Sequence, residues 1–122
     1  MYIRFEIDKR DTRSGRPTGM FTLAYDLIED IDTENYQRAK IKELLNYFGD
    51  KLPVPTKFAK GKNTYHKNKH GISWLKSEAT EMVSKFWELK IILEEYGHHI
   101  IVTKQDYVGK IVYEDDFQVV AI

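Results

Sequence analysis

The sequence predicts an α+β fold: three helices packed on a mainly antiparallel sheet, in the order β-α-α-(β)-α-β-β-β. Three observations carry this reading. Residues 2–8, YIRFEID, alternate apolar and charged side chains, the period of a strand with one wet face. Three later stretches carry apolar residues at helical spacing. From His98 the period returns to two and stays there. A run of strands at the end, with helices before it, fits helices gathered on one face of the sheet. At 122 residues the chain suits a single domain over 1–122 with one core.

In the first strand Ile3, Phe5 and Ile7 share one face, and Arg4, Glu6 and Asp8 share the other. KRDTRSGRPTG follows and reads as a loop from its Arg, Gly, Ser and Thr content. Met20, Leu23, Ala24, Leu27 and Ile28 then form the stripe of a first helix, over about 19–30, which Thr18 is placed to cap. Thr33 is the expected N-cap of a second helix whose stripe is Ile41, Leu44, Leu45 and Phe48, with Gly49 as its C-cap. Pro53 and Pro55 prevent continuation. GISWLK reads as a short strand. Ser77 is the expected N-cap of a third helix ending at Gly97, with Ala79, Met82, Val83, Phe86, Leu89, Leu93 and Tyr96 on its apolar face. Trp87, Ile91 and Ile92 widen that face, so this helix is expected to be the most buried. HIIVTKQ, GKIVYED and FQVVAI read as three closing strands, with Asp115 and Asp116 in a tight hairpin.

Composition narrows function by exclusion. Nineteen Lys and Arg balance nineteen Asp and Glu, so the chain lacks the overall basic signature of a nucleic-acid binder. There is no cysteine, which removes disulfides, zinc–thiolate sites, iron–sulfur clusters and a Cys nucleophile. The N-terminus does not have the pattern of a signal peptide, and no apolar run approaches a bilayer span. A soluble cytoplasmic protein with no membrane contact is expected.

Charge is nevertheless segregated. The window 51–77 holds seven lysines, two histidines and no aspartate or glutamate. Lys57, Lys60, Lys62, Lys67 and Lys69 are interleaved there with Phe58, Tyr65, His66 and His70. Cations with rings suit single-stranded nucleic acid, the cations for phosphates and the rings for base stacking. A solvated loop kept soluble by lysine explains the same composition. In the first loop Arg13 and Arg16, with Ser14, Thr18, Gly15 and Gly19, precede a helix N-terminus, where guanidinium forks and free N–H groups favour anions. The bland explanation is a chain reversal whose arginines pair with nearby acids. GRPTGM lacks the ending and spacing of a P-loop. The acids Asp26, Glu29, Asp30, Asp32 and Glu34 read as a solvated helix junction and a negative patch.

His66 and His70 stand at i, i+4, but no acid joins them and lysines surround them, so no metal site is assigned. His98 and His99 are adjacent, and on a strand they would point to opposite faces. No serine sits in a nucleophile elbow, and no carboxylate pair shares an evident site, so no catalytic residue and no cofactor is assigned.

Four strings, RDTRSG at 10–15, ISWLK at 72–76, WELKIILEEYG at 87–97 and KIVYEDDFQVVA at 110–121, together resemble a family of small uncharacterised bacterial proteins. The resemblance implies a bacterial or phage source and no activity or cofactor. The expected function is a small non-enzymatic binding or regulatory domain. Its contact residues are Arg13, Arg16, Lys57, Lys60, Lys62, Tyr65, Lys67 and Lys69, and its partner is anionic, either nucleic acid or an acidic protein surface. Two other readings stand beside it: an interaction or homo-oligomeric module using the edge of the last strand, and a phosphate-ligand enzyme using the loop from Arg13 to Gly19.

Overall fold

The structure, a computed structural model, describes residues 1–7, 20–53 and 71–122. The order expected from the sequence is the order found: β1 (Tyr2–Ile7), α1 (Met20–Glu29), α2 (Asn35–Lys51), β2 (Ile72–Lys76), α3 (Thr80–Glu95), β3 (Ile100–Gln105), β4 (Ile111–Glu114) and β5 (Gln118–Ala121). The five strands form one sheet in the order β3-β1-β2-β5-β4, and every pairing is antiparallel. The three helices pack on the face that carries Ile3, Leu75 and Ile100. The innermost side chains there include Ile41, Leu44, Met82, Leu89 and Leu93.

Helix ends depart from the sequence expectation where tertiary partners compete for the capping side chain. Thr33 does not cap α2: its Oγ1 donates to the Leu27 carbonyl at 2.6 Å, closing the end of α1. The N-cap position falls to Glu34, which makes no side-chain capping bond. Ser77 likewise turns to the Glu78 carboxylate at 2.9 Å, and α3 begins after Ala79. Gly49 lies inside α2, which runs on to Lys51 and ends at Leu52. The stop there comes from Pro53, because the residue before a proline is pushed out of the helical region; Leu52 has φ −96° and ψ 110°. Gly97 does end α3. It takes φ +91°, its N–H bonds Glu94, and the His98 N–H bonds Leu93, the paired pattern of a Schellman stop. α3 supplies Met82, Leu89, Ile92 and Leu93 to the core, but Ile91 is exposed and Trp87 only half-buried.

β3 and β4 are opposite edges of the sheet, yet only residues 106–110 join them. The link bends at Asp106 and at Gly109, the latter with φ +105°, and Lys110 exchanges backbone hydrogen bonds with Ile122 just before β4 begins. Trp74, Val119 and Ala121 lie by alternation on the sheet face turned away from the helices and are buried all the same.

The expected hairpin is present between β4 and β5. Asp115 Oδ1 accepts from the N–H groups of Phe117 and Gln118 at 2.8 and 3.0 Å, an Asx turn. One expectation fails outright. The last strand is not an edge: β5 is paired to β2 on one side and β4 on the other, so strand addition to FQVVAI has no free side. The hairpin that places β4 outside it is the physical reason.

Candidate functional site

The residues singled out for anion binding, Arg13, Arg16, Lys57, Lys60, Lys62, Tyr65, Lys67 and Lys69, all lie outside the described residues. His66 and His70 lie outside as well. What is described is the ground on which those two segments stand. They leave and rejoin the described chain at Ile7, Met20, Pro53 and Gly71. Met20, Pro53 and Gly71 all line one cleft of about 830 Å³. That volume is within the range of ligand sites.

The cleft exists because β1 and β2 separate. Their ladder holds only Tyr2↔Lys76 and Ile3↔Leu75, whereas β1 pairs with β3 along its whole length. Beyond Ile3 the two strands diverge, and the N-terminal end of α1 and the C-terminal end of α2 form the wall behind the gap. Phe5, Phe21, Phe48 and Phe86 make the floor. Their rings contact in sequence, Phe5–Phe86 at 5.4 Å, Phe86–Phe48 at 4.7 Å and Phe48–Phe21 at 5.1 Å between centroids. These tilted arrangements are the ones ring quadrupoles favour. Phe48 is buried; the other three are half-buried.

The polar groups of the lining are few: Arg4, Thr22, Tyr25, Ser73 and Gln118. Arg4 pairs through its Nε with Glu6 on the same face of β1. Gln118 ties one wall together, donating from Nε2 to the Pro53 carbonyl at 2.6 Å and to Asp115 Oδ2 at 3.2 Å. Burial works to raise the Asp115 pKa, but the hydrogen bonds it accepts from Phe117, Tyr113 and Gln118 outweigh that and hold it below the usual aspartate value. Beside it the Lys76 ammonium meets the Glu114 carboxylate at 2.6 Å, a hydrogen-bonded pair that raises the lysine pKa. The described lining contains one guanidinium, aromatic surface, and no carboxylate or histidine.

Elsewhere the described residues offer less. No group of three or more His, Asp or Glu side chains among them is arranged to hold a metal ion. His98 and His99 precede β3 instead of lying on it, His98 half-buried and His99 exposed. The acids Asp26, Glu29, Asp30, Asp32 and Glu34 are all exposed, as the patch reading requires. Among the described residues no helix is long and apolar enough to cross a membrane.

The sequence pattern assigns Phe5, Phe48 and Phe86 to packing and gives no reason to single out Arg4 or Ser73. One usable signal is Phe21, which falls off the predicted stripe of the first helix yet is aromatic. Comparison with family models, with curated proteins and with solved structures gives no match for this chain.

Proposed function

We propose that this chain is a small non-enzymatic binding domain that takes an anionic partner at the cleft between β1 and β2. One observation carries the reading. Three of the four described residues that bound the two cationic sequence segments line this single concave surface. The sequence from 54 to 70, which joins Pro53 to Gly71, contains five lysines and no acid. Arg13 and Arg16 belong to the segment that ends at Met20. Nucleic acid and an acidic protein surface both have the required charge, and a cytoplasmic bacterial or phage setting fits either.

The test is a salt titration at the protein's own charge. Fluorescent single-stranded oligonucleotide and fluorescent acidic peptide are each titrated with protein at roughly 50 and 200 mM salt, where released counterions dominate the difference. Affinity for one of them is expected to fall steeply with salt. Replacing Lys57, Lys60, Lys67 and Lys69 with Gln should weaken binding and flatten the slope, by about 0.7 for each single-strand phosphate that is no longer neutralised. Absence of binding to either probe at the lower salt defeats the proposal.

A further inference from the structure

The geometry points to strand addition: the opened ladder between β1 and β2 takes an extended acidic peptide in which apolar residues alternate with carboxylates. This rests on the anionic-partner reading above and names the partner's class. The argument begins with which backbone groups are already used. Ser77 donates to the Met1 carbonyl at 3.1 Å, and the register then makes Met1/Ser77 and Ile3/Leu75 the bonded pairs of β1 with β2. The next bonded pair would be Phe5/Ser73, and the ladder stops short of it. On its other side β2 is committed through Lys76, Trp74 and Ile72, as the 2.8 Å bond from the Lys76 N–H to Phe117 and the Trp74↔Val119 register show. The N–H and C=O of Phe5 and Ser73 are thus turned into the cleft, with no described strand between them.

An open pair of strand edges is a template for an extended chain: main-chain bonds supply affinity and alternate side-chain pockets supply selectivity. A strand lying in this gap would send every second side chain toward the helices, onto the phenyl floor of Phe21, Phe48 and Phe86. The intervening side chains would face the other way, beside Arg4 and Trp74. Apolar residues suit the first set. Carboxylates suit the second, because Arg4, paired with Glu6, is the one charged side chain of the described lining, and the sequence from 54 to 70 that leads to Gly71 adds five lysines without an acid. A nucleic acid could meet the cations, but it has no main-chain amides with which to complete a ladder.

The probe is a fluorescent seven-residue peptide alternating Glu with Val and Phe. Three comparators accompany it: a twin with alternate amides N-methylated, a twin with Lys for Glu, and a single-stranded oligonucleotide. Binding is read by anisotropy, and amide hydrogen exchange is followed at Phe5 and Ser73. The acidic peptide should bind and slow exchange at both amides. The two twins should bind at least about tenfold more weakly, the scale of one main-chain hydrogen bond. Ser73→Pro should weaken the peptide while Ser73→Ala does not, since the Ser73 N–H is turned toward the gap and away from β5. Equal binding by the N-methylated twin overturns strand addition. Binding of the oligonucleotide alone overturns it too and leaves the anionic-partner reading standing; binding of neither overturns both. Protection of the same amides that grows with protein concentration, without peptide, makes the occupant a second copy and overturns the peptide.

Discussion

The two ends of the helix layer are finished in opposite ways. Where α1 turns into α2, polar groups are matched one to one. Arg38 alone bonds the Ile28 carbonyl at 2.9 Å, the Asp30 carbonyl at 2.7 Å and the Asn35 side chain at 2.7 Å. Gln37 is buried and lies between Glu95 and the Tyr96 hydroxyl, which in turn accepts from the Glu34 N–H at 3.0 Å. These bonds join the start of α2 to the end of α3, so the closed end is held across long sequence separation. At the other end a strand ladder is left unfinished and phenyl rings stay half-exposed. The lesson is where this fold puts its stability and where it leaves room. A short connection can be capped by its own neighbours, whereas β1 and β2 come from distant parts of the chain and no local contact completes their ladder.

The largest effect should separate core from cleft. Leu93 is fully buried under the closed end, and Leu93→Ala should cost about 2–5 kcal/mol through reduced transfer energy and a cavity. Phe21→Ala removes a half-buried ring from the cleft floor and should cost less than half as much, about 1–2 kcal/mol. Urea unfolding measures both. Equal losses would mean the cleft floor behaves as ordinary core, and the contrast between the ends would collapse.

Tyr96→Phe probes the polar side of the closed end. It deletes one hydroxyl that serves Gln37 and Glu34 together. Leaving a buried amide oxygen without its donor should cost about 1–3 kcal/mol in the same unfolding assay. A loss confined to a few tenths would show that water replaces the hydroxyl and that the seam is looser than its bonds suggest.

How much of the molecule is legible in the sequence depends on range along the chain. β1 and the three helical stripes are readable because alternation and helical spacing are local. The Gly97 stop is readable for the same reason, since only a residue tolerant of positive φ ends a helix that way. Thr33 and Ser77 mislead because a hydroxyl next to a helix start can serve another acceptor, and the choice is made by tertiary packing. The status of β5 misleads because sheet order is a long-range property: nothing in FQVVAI says that β2 will arrive on its open side. The cleft is invisible for a related reason. Phe5, Phe21, Phe48 and Phe86 come from four different elements, and only the parting of β1 from β2 turns their cluster into a surface. The cationic residues that stand out in the sequence fall outside the described residues, and the structure contributes the cleft at their roots.

The smallest effect is the most pointed, because one carboxylate braces the open end. Asp115 holds the hairpin with Oδ1 and, with Oδ2, accepts from the Tyr113 hydroxyl at 2.7 Å and from Gln118, whose amide also holds Pro53 at the cleft wall. Asp115→Ala should cost about 1–2 kcal/mol at pH 7, the worth of a few part-buried hydrogen bonds. The pH dependence has a definite sign. Its pKa is lowered from the ordinary 3.8, so the folded chain binds that proton less readily than the unfolded chain. The stabilisation is complete above the ordinary value and is lost as pH falls through it and below. The gap between wild type and Asp115→Ala should therefore be widest at neutral pH and close below about pH 4. Asp115→Asn separates the two halves of the brace. The amide oxygen can still accept from Phe117 and Gln118, but its NH₂ meets the Gln118 amide as donor against donor. That variant should keep the turn, lose the acid dependence, and release Pro53, which amide exchange at Leu52 and Gln118 would register. If exchange there is unchanged, the hairpin and the cleft wall are independent, and the open end owes its shape to the phenyl rings alone.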